Sequence, residues 1–262
     1  MPYQFIKFVQ EGGVVTITFN RPDVLNSFNM AMAKEVQDAL NQCASDDTVR
    51  AVLITGEGRA FSAGQDLSEA APADAPWPDI SRIVRESYNP IIRAIRNMEK
   101  PVIGAVNGVA AGAAANLALA CDIVLASEKA SFLQAFCHIG LIPDSGGTFF
   151  LPRLAGFARA TAMAMLGEKI PAQQALEWGM IYKVVPADLL IPEARKMALH
   201  LANQPTKGLG LIKRALNQSL GNDLEAQLEV EAQLQAQAAA TEDCKEGITA
   251  FLEKRNPVFK GR

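Results

Sequence analysis

Cysteine and histidine are scarce in this sequence, with four cysteines and two histidines among 262 residues. Cys43, Cys121, Cys137 and Cys244 show no CxxC spacing, and two histidines add few potential metal ligands. The sequence therefore predicts no metal site. The scattered cysteines favour a reducing cytoplasm over a compartment in which disulfides form.

The sequence also has no excess of positive charge, since its net charge is −3 and only 20% of its residues are charged. This excludes a basic face for nucleic acid and a polybasic patch for anionic lipid. No basic segment followed by an apolar segment opens the chain, so we expect no signal peptide. The apolar stretch 102–126 is interrupted by Asn107, Asn116 and Asp122, which favours a buried strand and helix over a membrane span. The expected partners are small molecules or other subunits.

Short β-branched runs recur between helical stretches, at 14–19, 51–56, 102–106, 122–126 and 181–185. This alternation predicts an α/β fold with a largely parallel sheet covered by helices. From about residue 191 onward the pattern is helical. We therefore expect a core domain over 1–190 and a helical region over 191–262.

Two apolar stripes at helical spacing predict helices that pack on this sheet. Asn29 can cap a helix whose apolar face runs from Met32 to Cys43. A second stripe runs from Ile80 to Ile95 and is kinked or restarted at Pro90. Between them, residues 69–79 contain three prolines and predict a surface loop that could act as a lid.

Two segments rich in small residues follow predicted strands. The first, "GRAFSAGQDL" at 58–67, lets the backbone approach a ligand closely, although a tight turn that needs only Gly64 would give the same pattern. The second, "VNGVAAGAAANLALACDI" at 106–123, opens a helix whose first N–H groups suit an oxyanion, although dense packing of helix on sheet is an alternative. One N–H from each segment could bind a single oxygen atom as an oxyanion hole.

The stretch "GLIPDSGGTFFLPR" contains one carboxylate, Asp144, in apolar surroundings. Neighbouring Leu141, Ile142, Phe149 and Phe150 are expected to desolvate the carboxylate and raise its pKa, while the backbone of 145–147 and a helix start are expected to lower it. Such opposed influences suit a proton shuttle near neutral pH. The alternative is that Asp144 caps the following helix. His138, from the preceding loop, is a second and weaker candidate.

Four motifs occur in a fixed order along the chain: "FNRPDVLNSFN", "GEGRAFSAGQDL", "AVNGVAAGAAANLALACDIVLAS" and "GLIPDSGGTFFLPRLAG". Together they resemble the crotonase superfamily, the enoyl-CoA hydratase and isomerase group, nearly from end to end. The resemblance implies a spiral of ββα units with a C-terminal helical region. It also implies an acyl-CoA substrate, no permanently bound cofactor, and a homotrimer or dimer of trimers.

The resemblance also implies roles for particular residues. The thioester oxygen would accept hydrogen bonds from the backbone N–H groups of Gln65 and of Ala113, which follows Gly112. The coenzyme A moiety would be bordered and enclosed by residues from both ends of the chain, namely Val24, Ala63, Asp66, Leu67, Phe251 and Lys254. For Lys254 a solvated surface charge is an equal alternative.

The family's hydratases carry two catalytic glutamates, and this sequence has Asn116 and Phe136 at the matching positions. An amide and a phenyl ring cannot activate water, so Asp144 is the remaining acid–base candidate, with Asn116 either orienting substrate or buried as a satisfied polar group. The expected activity is isomerisation of a CoA thioester, most closely that of the ring epoxide of phenylacetyl-CoA to the oxepin. Alternatives are Δ3 to Δ2 enoyl-CoA isomerisation, dehalogenation of an aryl-CoA with Asp144 as nucleophile, hydration, and acyl-CoA binding without catalysis.

Overall fold

Two β-sheets of unequal size run through residues 3–70 and 79–262, the part of the chain that this computed structural model describes. Their strands are β1 Ile6–Glu11, β2 Val14–Phe19, β3 Ala51–Gly56, β4 Ala60–Ser62, β5 Val102–Val106, β6 Val109–Ala111, β7 Ile123–Ser127, β8 Ser131–Leu133, β9 Lys169–Pro171 and β10 Lys183–Val185.

The larger sheet has the strand order β1-β2-β3-β5-β7-β10. Only the edge pair β1 and β2 is antiparallel, and the other neighbours are parallel. In the register of the central strands, Ile17 pairs with Ile54, and Val52 pairs with Val102. Strands β3 and β5 are buried on both faces, which accounts for their continuous apolar sequence.

The smaller sheet has the order β4-β6-β8-β9, and each of its strands has three residues. A strand of the large sheet is followed repeatedly by a strand of the small sheet and then by helical chain, as in β3-β4, β5-β6 and β7-β8. This repeated order is the predicted spiral of ββα units, and the predicted fold class is confirmed.

Helices fill the space between and around the sheets. They are α1 Met30–Ser45, α2 Leu67–Ala70, α3 Ile80–Ile83, α4 Asn89–Asn97, α5 Ala113–Leu119, α6 Gly147–Ala155, α7 Phe157–Leu166, α8 Ala172–Glu177, α9 Leu190–Ala202, α10 Thr206–Ser219, α11 Leu224–Ala239 and α12 Glu242–Leu252. A π-helical turn, Val84–Tyr88, joins α3 to α4, and a 3-10 turn, Ala135–Ile139, precedes α6. No helix in the described ranges is long and apolar enough to cross a membrane.

Both predicted helical stripes are present. The Asn29 side chain accepts a hydrogen bond from the Met32 N–H at 2.8 Å, which confirms the predicted cap of α1. In the second stripe, Tyr88 and its two C-terminal members are buried in the core, whereas Ile80 and Val84 line a cavity. Residues 71–78, most of the predicted lid, lie outside the described residues.

The core is divided by the large sheet into two clusters of buried side chains. The larger cluster lies between the sheets and includes the apolar faces of α1, α4 and α5. The smaller one is formed by the opposite face of the large sheet and by α9, through Leu190, Ala194, Ala198 and Ala202. The division into a core domain over 1–190 and a helical region over 191–262 stays a prediction.

Asp122, between α5 and β7, ties two helices to the sheet. Its carboxylate accepts hydrogen bonds from Arg96 of α4 at 3.0 Å, from Lys213 of α10 at 2.7 Å, and from the Val102 N–H at 2.8 Å. Arg96 and Lys213 are themselves largely buried. These contacts hold α10 against α4 beneath the larger core.

Candidate active site

A cavity of about 220 Å³ opens where α3, the π-helical turn and the loops after β4, β6 and β8 meet. Its walls are mostly apolar. They are formed by Ala63, Gly64, Gln65, Leu67, Ile80, Ile83, Val84, Tyr88, Gly112, Ala113, Ala135, Phe136, His138, Ile139, Leu141 and Asp144. Since Asp144 is the sole Asp or Glu that the described residues contribute to this lining, its carboxylate faces a largely apolar space.

The loops after β4 and β6 touch through their backbones. Gly64 has φ of +88°, and a Cβ at this position would lie 2.7 Å from the Ala111 carbonyl oxygen and 3.8 Å from the Ala113 nitrogen. Any side chain would therefore force the two loops apart, besides straining the backbone. The glycine motif serves a close approach between two segments of the cavity wall.

Gln65 and Ala113 each present a backbone N–H at this junction. Gln65 forms a parallel β-bridge with Phe28. The Phe28 N–H donates to the Gly64 carbonyl oxygen, and the Asp66 N–H donates to the Phe28 carbonyl oxygen. In a parallel bridge of this kind the Gln65 N–H is directed away from Phe28. Ala113 is the first residue of α5, where an N–H has no partner within the helix. Neither N–H has a hydrogen-bond acceptor among the residues that the structure describes. Helical backbone at Ala113 accommodates its Cβ, as the sequence required.

Tyr88 fixes the side chain of Gln65. The Tyr88 hydroxyl donates to Gln65 Oε1 at 2.8 Å, and the ring lies in the core and at the cavity wall. Burial, together with the negative charges of Asp144 and Asp66, raises the pKa of Tyr88, so its hydroxyl stays protonated. Tyr88 belongs to an apolar stripe of the sequence, and its contact with Gln65 was not predicted. The signal for such a contact is a phenol within that stripe.

Asp144 lies in the loop that leads to α6, and burial raises the pKa of its carboxyl. The Ser145 hydroxyl donates to Asp144 Oδ1 at 2.8 Å and, with the backbone, opposes that shift. The predicted direction of the shift is confirmed, since burial is its largest cause. Of the four apolar neighbours, Leu141 shares the cavity lining with Asp144, whereas Ile142 and Phe149 are 78% and 40% exposed.

The alternative that Asp144 caps α6 is wrong. Helix α6 begins at Gly147 after Gly146, and no side chain caps it. The Asp144 backbone oxygen, not its carboxylate, accepts the Gly147 N–H at 2.7 Å. The carboxylate is therefore available to the cavity.

Asn116 lies behind the cavity wall and not in it. Its side chain is fully buried, and Nδ2 donates to the Asp144 carbonyl oxygen at 2.8 Å. Its Oδ1 accepts a hydrogen bond from Gln134 Nε2 at 2.8 Å. Of the two interpretations of Asn116, the structure fits the satisfied buried amide. Nothing in the sequence distinguished Gln134.

The other predicted site residues separate into two groups. Phe136 packs near Gly112 in the cavity wall, and His138 reaches the lining while its Nε2 lies 3.3 Å from the Leu166 carbonyl oxygen. Outside the lining, Val24 is 45% exposed and Phe251 is 83% exposed. Lys254 follows α12 at the surface with φ of +56°.

Asp66 also lies outside the lining, and its carboxylate is already engaged. It accepts from the Ser68 hydroxyl at 2.6 Å and from Arg21 Nη1 at 3.0 Å, contacts that lower the pKa of Asp66. No cluster of three or more His, Cys, Asp or Glu side chains suited to a metal ion occurs within 3–70 and 79–262.

Comparison with known proteins gives consistent matches over the whole chain. The enoyl-CoA hydratase/isomerase family model matches residues 9–262. The chain is 50% identical to the 1,2-epoxyphenylacetyl-CoA isomerase of Escherichia coli (strain K12), with 99% of each chain covered. It is 45% identical to a protein of Rhodobacter capsulatus named as a probable enoyl-CoA hydratase, with each chain fully covered. A solved enoyl-CoA hydratase from Bacillus anthracis superposes with a TM-score of 0.91 at 36% identity, covering 99% of this chain and 100% of that chain.

These matches define the class: an enzyme of the crotonase superfamily that acts on CoA thioesters. The chain belongs to the enoyl-CoA hydratase/isomerase family. Isomerases and hydratases both occur among its relatives, so the choice between them depends on the residues of the cavity.

Proposed function

We propose that this protein isomerises the ring-1,2-epoxide of phenylacetyl-CoA to the oxepin-CoA, with Asp144 as the acid–base group. The observation that carries the proposal is Asp144 itself, the sole Asp or Glu among the described residues of a largely apolar cavity lining. The two glutamate positions of the hydratases hold Phe136 and Asn116, which is buried and hydrogen-bonded through both its amide nitrogen and its amide oxygen. The relative from Escherichia coli carries the name of this activity.

The proposed oxyanion hole consists of the Gln65 and Ala113 backbone N–H groups. Both belong to the touching loops at the cavity, and neither has an acceptor among the described residues. Hydrogen bonds from both to the thioester oxygen would stabilise the enolate that forms when the α-carbon loses a proton. One such donor typically contributes about 3 to 4 kcal/mol to the transition state.

Asp144 accepts that proton and returns it to a ring carbon. The electron pair moves from the C–H bond into the enolate, the ring bond spanned by the epoxide oxygen opens, and the same proton ends on the ring, so the product is an isomer of the substrate. The raised pKa of Asp144 suits both steps, because a weaker acid is a stronger base when ionised. The apolar walls suit a phenyl-derived ring.

A panel of three thioesters tests the proposal: the ring epoxide of phenylacetyl-CoA, a Δ3-enoyl-CoA and crotonyl-CoA, each followed by product analysis. We expect oxepin-CoA from the first and little hydration of the third, because no second carboxylate lines the cavity in the part of the chain that the structure describes. Faster conversion of the Δ3-enoyl-CoA would favour the alternative isomerase. Rapid hydration of crotonyl-CoA would contradict the proposal.

Asp144→Asn should lower kcat on the epoxide by about 10² to 10⁴-fold, the usual contribution of a general acid–base group. Binding of phenylacetyl-CoA, which lacks the epoxide, should stay within about twofold, because the amide retains the volume of the carboxyl. Calorimetric titration measures this binding. Wild-type turnover in this variant would remove Asp144 from the mechanism.

We also propose contacts with the coenzyme A moiety, some of them beyond the cavity lining. Val24, Asp66, Leu67, Phe251 and Lys254 would border the coenzyme A moiety. The subunits would form a homotrimer or a dimer of trimers. Large apolar side chains on the surface of the single chain, such as Phe251 at 83% exposure, support an assembly that covers them.

A further inference from the structure

Two buried amide side chains link the cavity segments on which the proposed chemistry depends. Asn116 lies three residues after Ala113 on α5 and donates to the backbone of Asp144. Gln134 immediately precedes the 3-10 turn that carries Phe136, and it donates to Asn116. The pair therefore connects the helix of one proposed oxyanion donor to the loop of the proposed acid–base group.

Packing holds the Asn116 amide close to that loop. A Cβ at Gly147 would lie 2.3 Å from Asn116 Nδ2, so only glycine leaves room for the amide. The Asp144 carbonyl oxygen accepts both this Nδ2 and the Gly147 N–H, which satisfies both of its lone pairs. The Asn116 hydrogen bond thus ties the loop backbone to α5, and the Gly147 hydrogen bond closes the turn that leads into α6.

Gln134 reinforces the orientation of the Asn116 amide. With the amide reversed, Asn116 Oδ1 would face the Asp144 carbonyl oxygen, and Nδ2 would face Gln134 Nε2. Each contact would then oppose two groups of the same polarity. The hydrogen bond from Gln134 therefore adds to the preference for the orientation in which Asn116 donates to Asp144.

Stability alone does not account for Gln134. Its Nε2 is used, but its Oε1 is buried and accepts no hydrogen bond from the described residues. A buried acceptor without a donor costs about 1 to 3 kcal/mol. A methionine of similar length would avoid that cost, so the amide is better explained by what its N–H group does to Asn116.

We propose that Asn116 and Gln134 are positioning residues that set the Asp144 carboxyl relative to the Gln65 and Ala113 N–H groups. This inference rests on the proposed function, in which those groups act on one thioester. The Gly112 N–H also donates to the Leu133 carbonyl at 2.8 Å, so the segment that carries Gln134 is tied to the donor loop as well. A displacement of about 1 Å between reacting groups can cost about 10²-fold in rate.

Gln134→Met is the principal test. It removes the donor to Asn116 and also removes the unpartnered Oε1, so the two effects on stability offset each other and Tm should change little. We expect kcat on the ring epoxide to fall about tenfold or more, while the Kd of phenylacetyl-CoA stays within about twofold. Asn116→Leu should lower kcat further, toward about 10²-fold.

Asn107→Leu is the matched control. The Asn107 side chain donates to the Gly58 and Ala60 carbonyl oxygens at 2.9 and 3.1 Å and accepts the Gly56 N–H at 3.2 Å, but it does not line the cavity. Loss of this amide should lower Tm and leave kcat unchanged. A structural role for Gln134 would give the same result as this control.

Asp144→Asn, measured in parallel, separates the two levels of inference. If Asp144→Asn retains turnover, the proposed function fails. If Asp144→Asn is inactive but folded Gln134→Met keeps wild-type kcat, or changes only KM, the positioning role is overturned and the proposed function stands. A fall in kcat at unchanged Kd in Gln134→Met, with Asn107→Leu fully active, supports the inference even where Asn116→Leu does not fold.

Discussion

In the proposed function, Asp144 serves catalysis at the expense of stability. Burial raises the pKa of its carboxyl, which means that the folded protein favours the neutral form. At neutral pH the ionised form desired for proton abstraction is the form that folding disfavours. Stability and activity therefore place opposite demands on this residue.

Asp144→Asn should accordingly raise Tm at pH 7. The unfolded chain releases the Asp144 proton near its ordinary pKa of about 3.9, whereas the folded chain holds it to higher pH. Between these values the folded state binds more protons, so stability falls as pH rises, and the asparagine avoids that loss. Thermal unfolding should show the gain at pH 7 and a smaller gain below about pH 4.

Asp66→Asn is the control, because it should shift Tm in the opposite direction to Asp144→Asn. The Ser68 hydroxyl and Arg21 lower the pKa of Asp66, so its contribution to stability is present above the unfolded pKa and is lost as pH falls through the folded one. Asp66→Asn should therefore lower Tm at pH 7, with a smaller loss in acid. Equal shifts of the same sign in both variants would refute the linkage argument for Asp144.

Gly64→Ala should reduce both stability and turnover. The new Cβ would lie 2.7 Å from the Ala111 carbonyl oxygen and displace the loop that carries the Gln65 N–H. We expect backbone strain and crowding together to lower the free energy of unfolding by about 2 to 4 kcal/mol, and we expect kcat to fall.

Gly58→Ala controls for backbone strain in this comparison. It has φ of +73° but only an ordinary contact, 3.4 Å from the Pro22 side chain. The Gly58→Ala substitution should lower the free energy of unfolding by about 1 to 3 kcal/mol through backbone strain and leave kcat unchanged. Urea denaturation and steady-state kinetics on both variants measure the difference, and equal kcat in the two alanine variants would contradict the close-approach argument.

The site residues show what a sequence can and cannot predict. The glycine motif, Asp144 and the loss of the two glutamates were recognisable because each is a chemical departure at a fixed spacing in the chain. Tyr88 and Gln134 were not, because their roles arise from contacts with Gln65 and Asn116 across 23 and 18 residues. Those contacts exist only once the fold has formed.

At the scale of helices and strands, Asp122 is the point at which α4, α10 and β5 meet. Asp122→Asn should leave Arg96 and Lys213 with uncompensated charge in a largely buried setting. We expect the free energy of unfolding to fall by about 2 to 4 kcal/mol. This is the lower part of the range for buried ion pairs, because all three side chains keep some exposure. Urea denaturation measures it.

Glu193→Gln is the control for this ion pair. Glu193 contacts Lys183 at 2.9 Å, but both side chains are well exposed, so water and salt screen the interaction. Its denaturation midpoint should match the wild type. A similar loss in both variants would show that burial does not distinguish the two ion pairs.

The predicted strands differ in accuracy for a physical reason. The runs at 14–19, 51–56 and 102–106 match β2, β3 and β5. Strands β3 and β5 are buried on both faces and so need a continuous apolar sequence, whereas β2 alternates buried Val15, Ile17 and Phe19 with half-buried threonines. The four strands of the small sheet were not predicted. Each has three residues, too few for an alternating pattern, and their pairing depends on the spiral that brings them together.

At the scale of the whole molecule, the single chain exposes more large apolar side chains than its fold explains. Phe157 is 80% exposed, Met165 73% and Phe251 83%. We expect analytical ultracentrifugation to give three or six times the mass of one chain, because assembly would bury such side chains. A monomer at micromolar concentration would contradict this expectation.

The large sheet separates two cores, the one beneath the cavity and the one that α9 closes on the opposite face. Side chains on opposite faces of a sheet share few neighbours, so the effects of their substitutions should largely add. The sheet therefore separates the two cores energetically as well as spatially. Substitutions on the α9 face should change thermal stability, and substitutions on the cavity face should change substrate preference. Each set should have little effect on the property that the other controls.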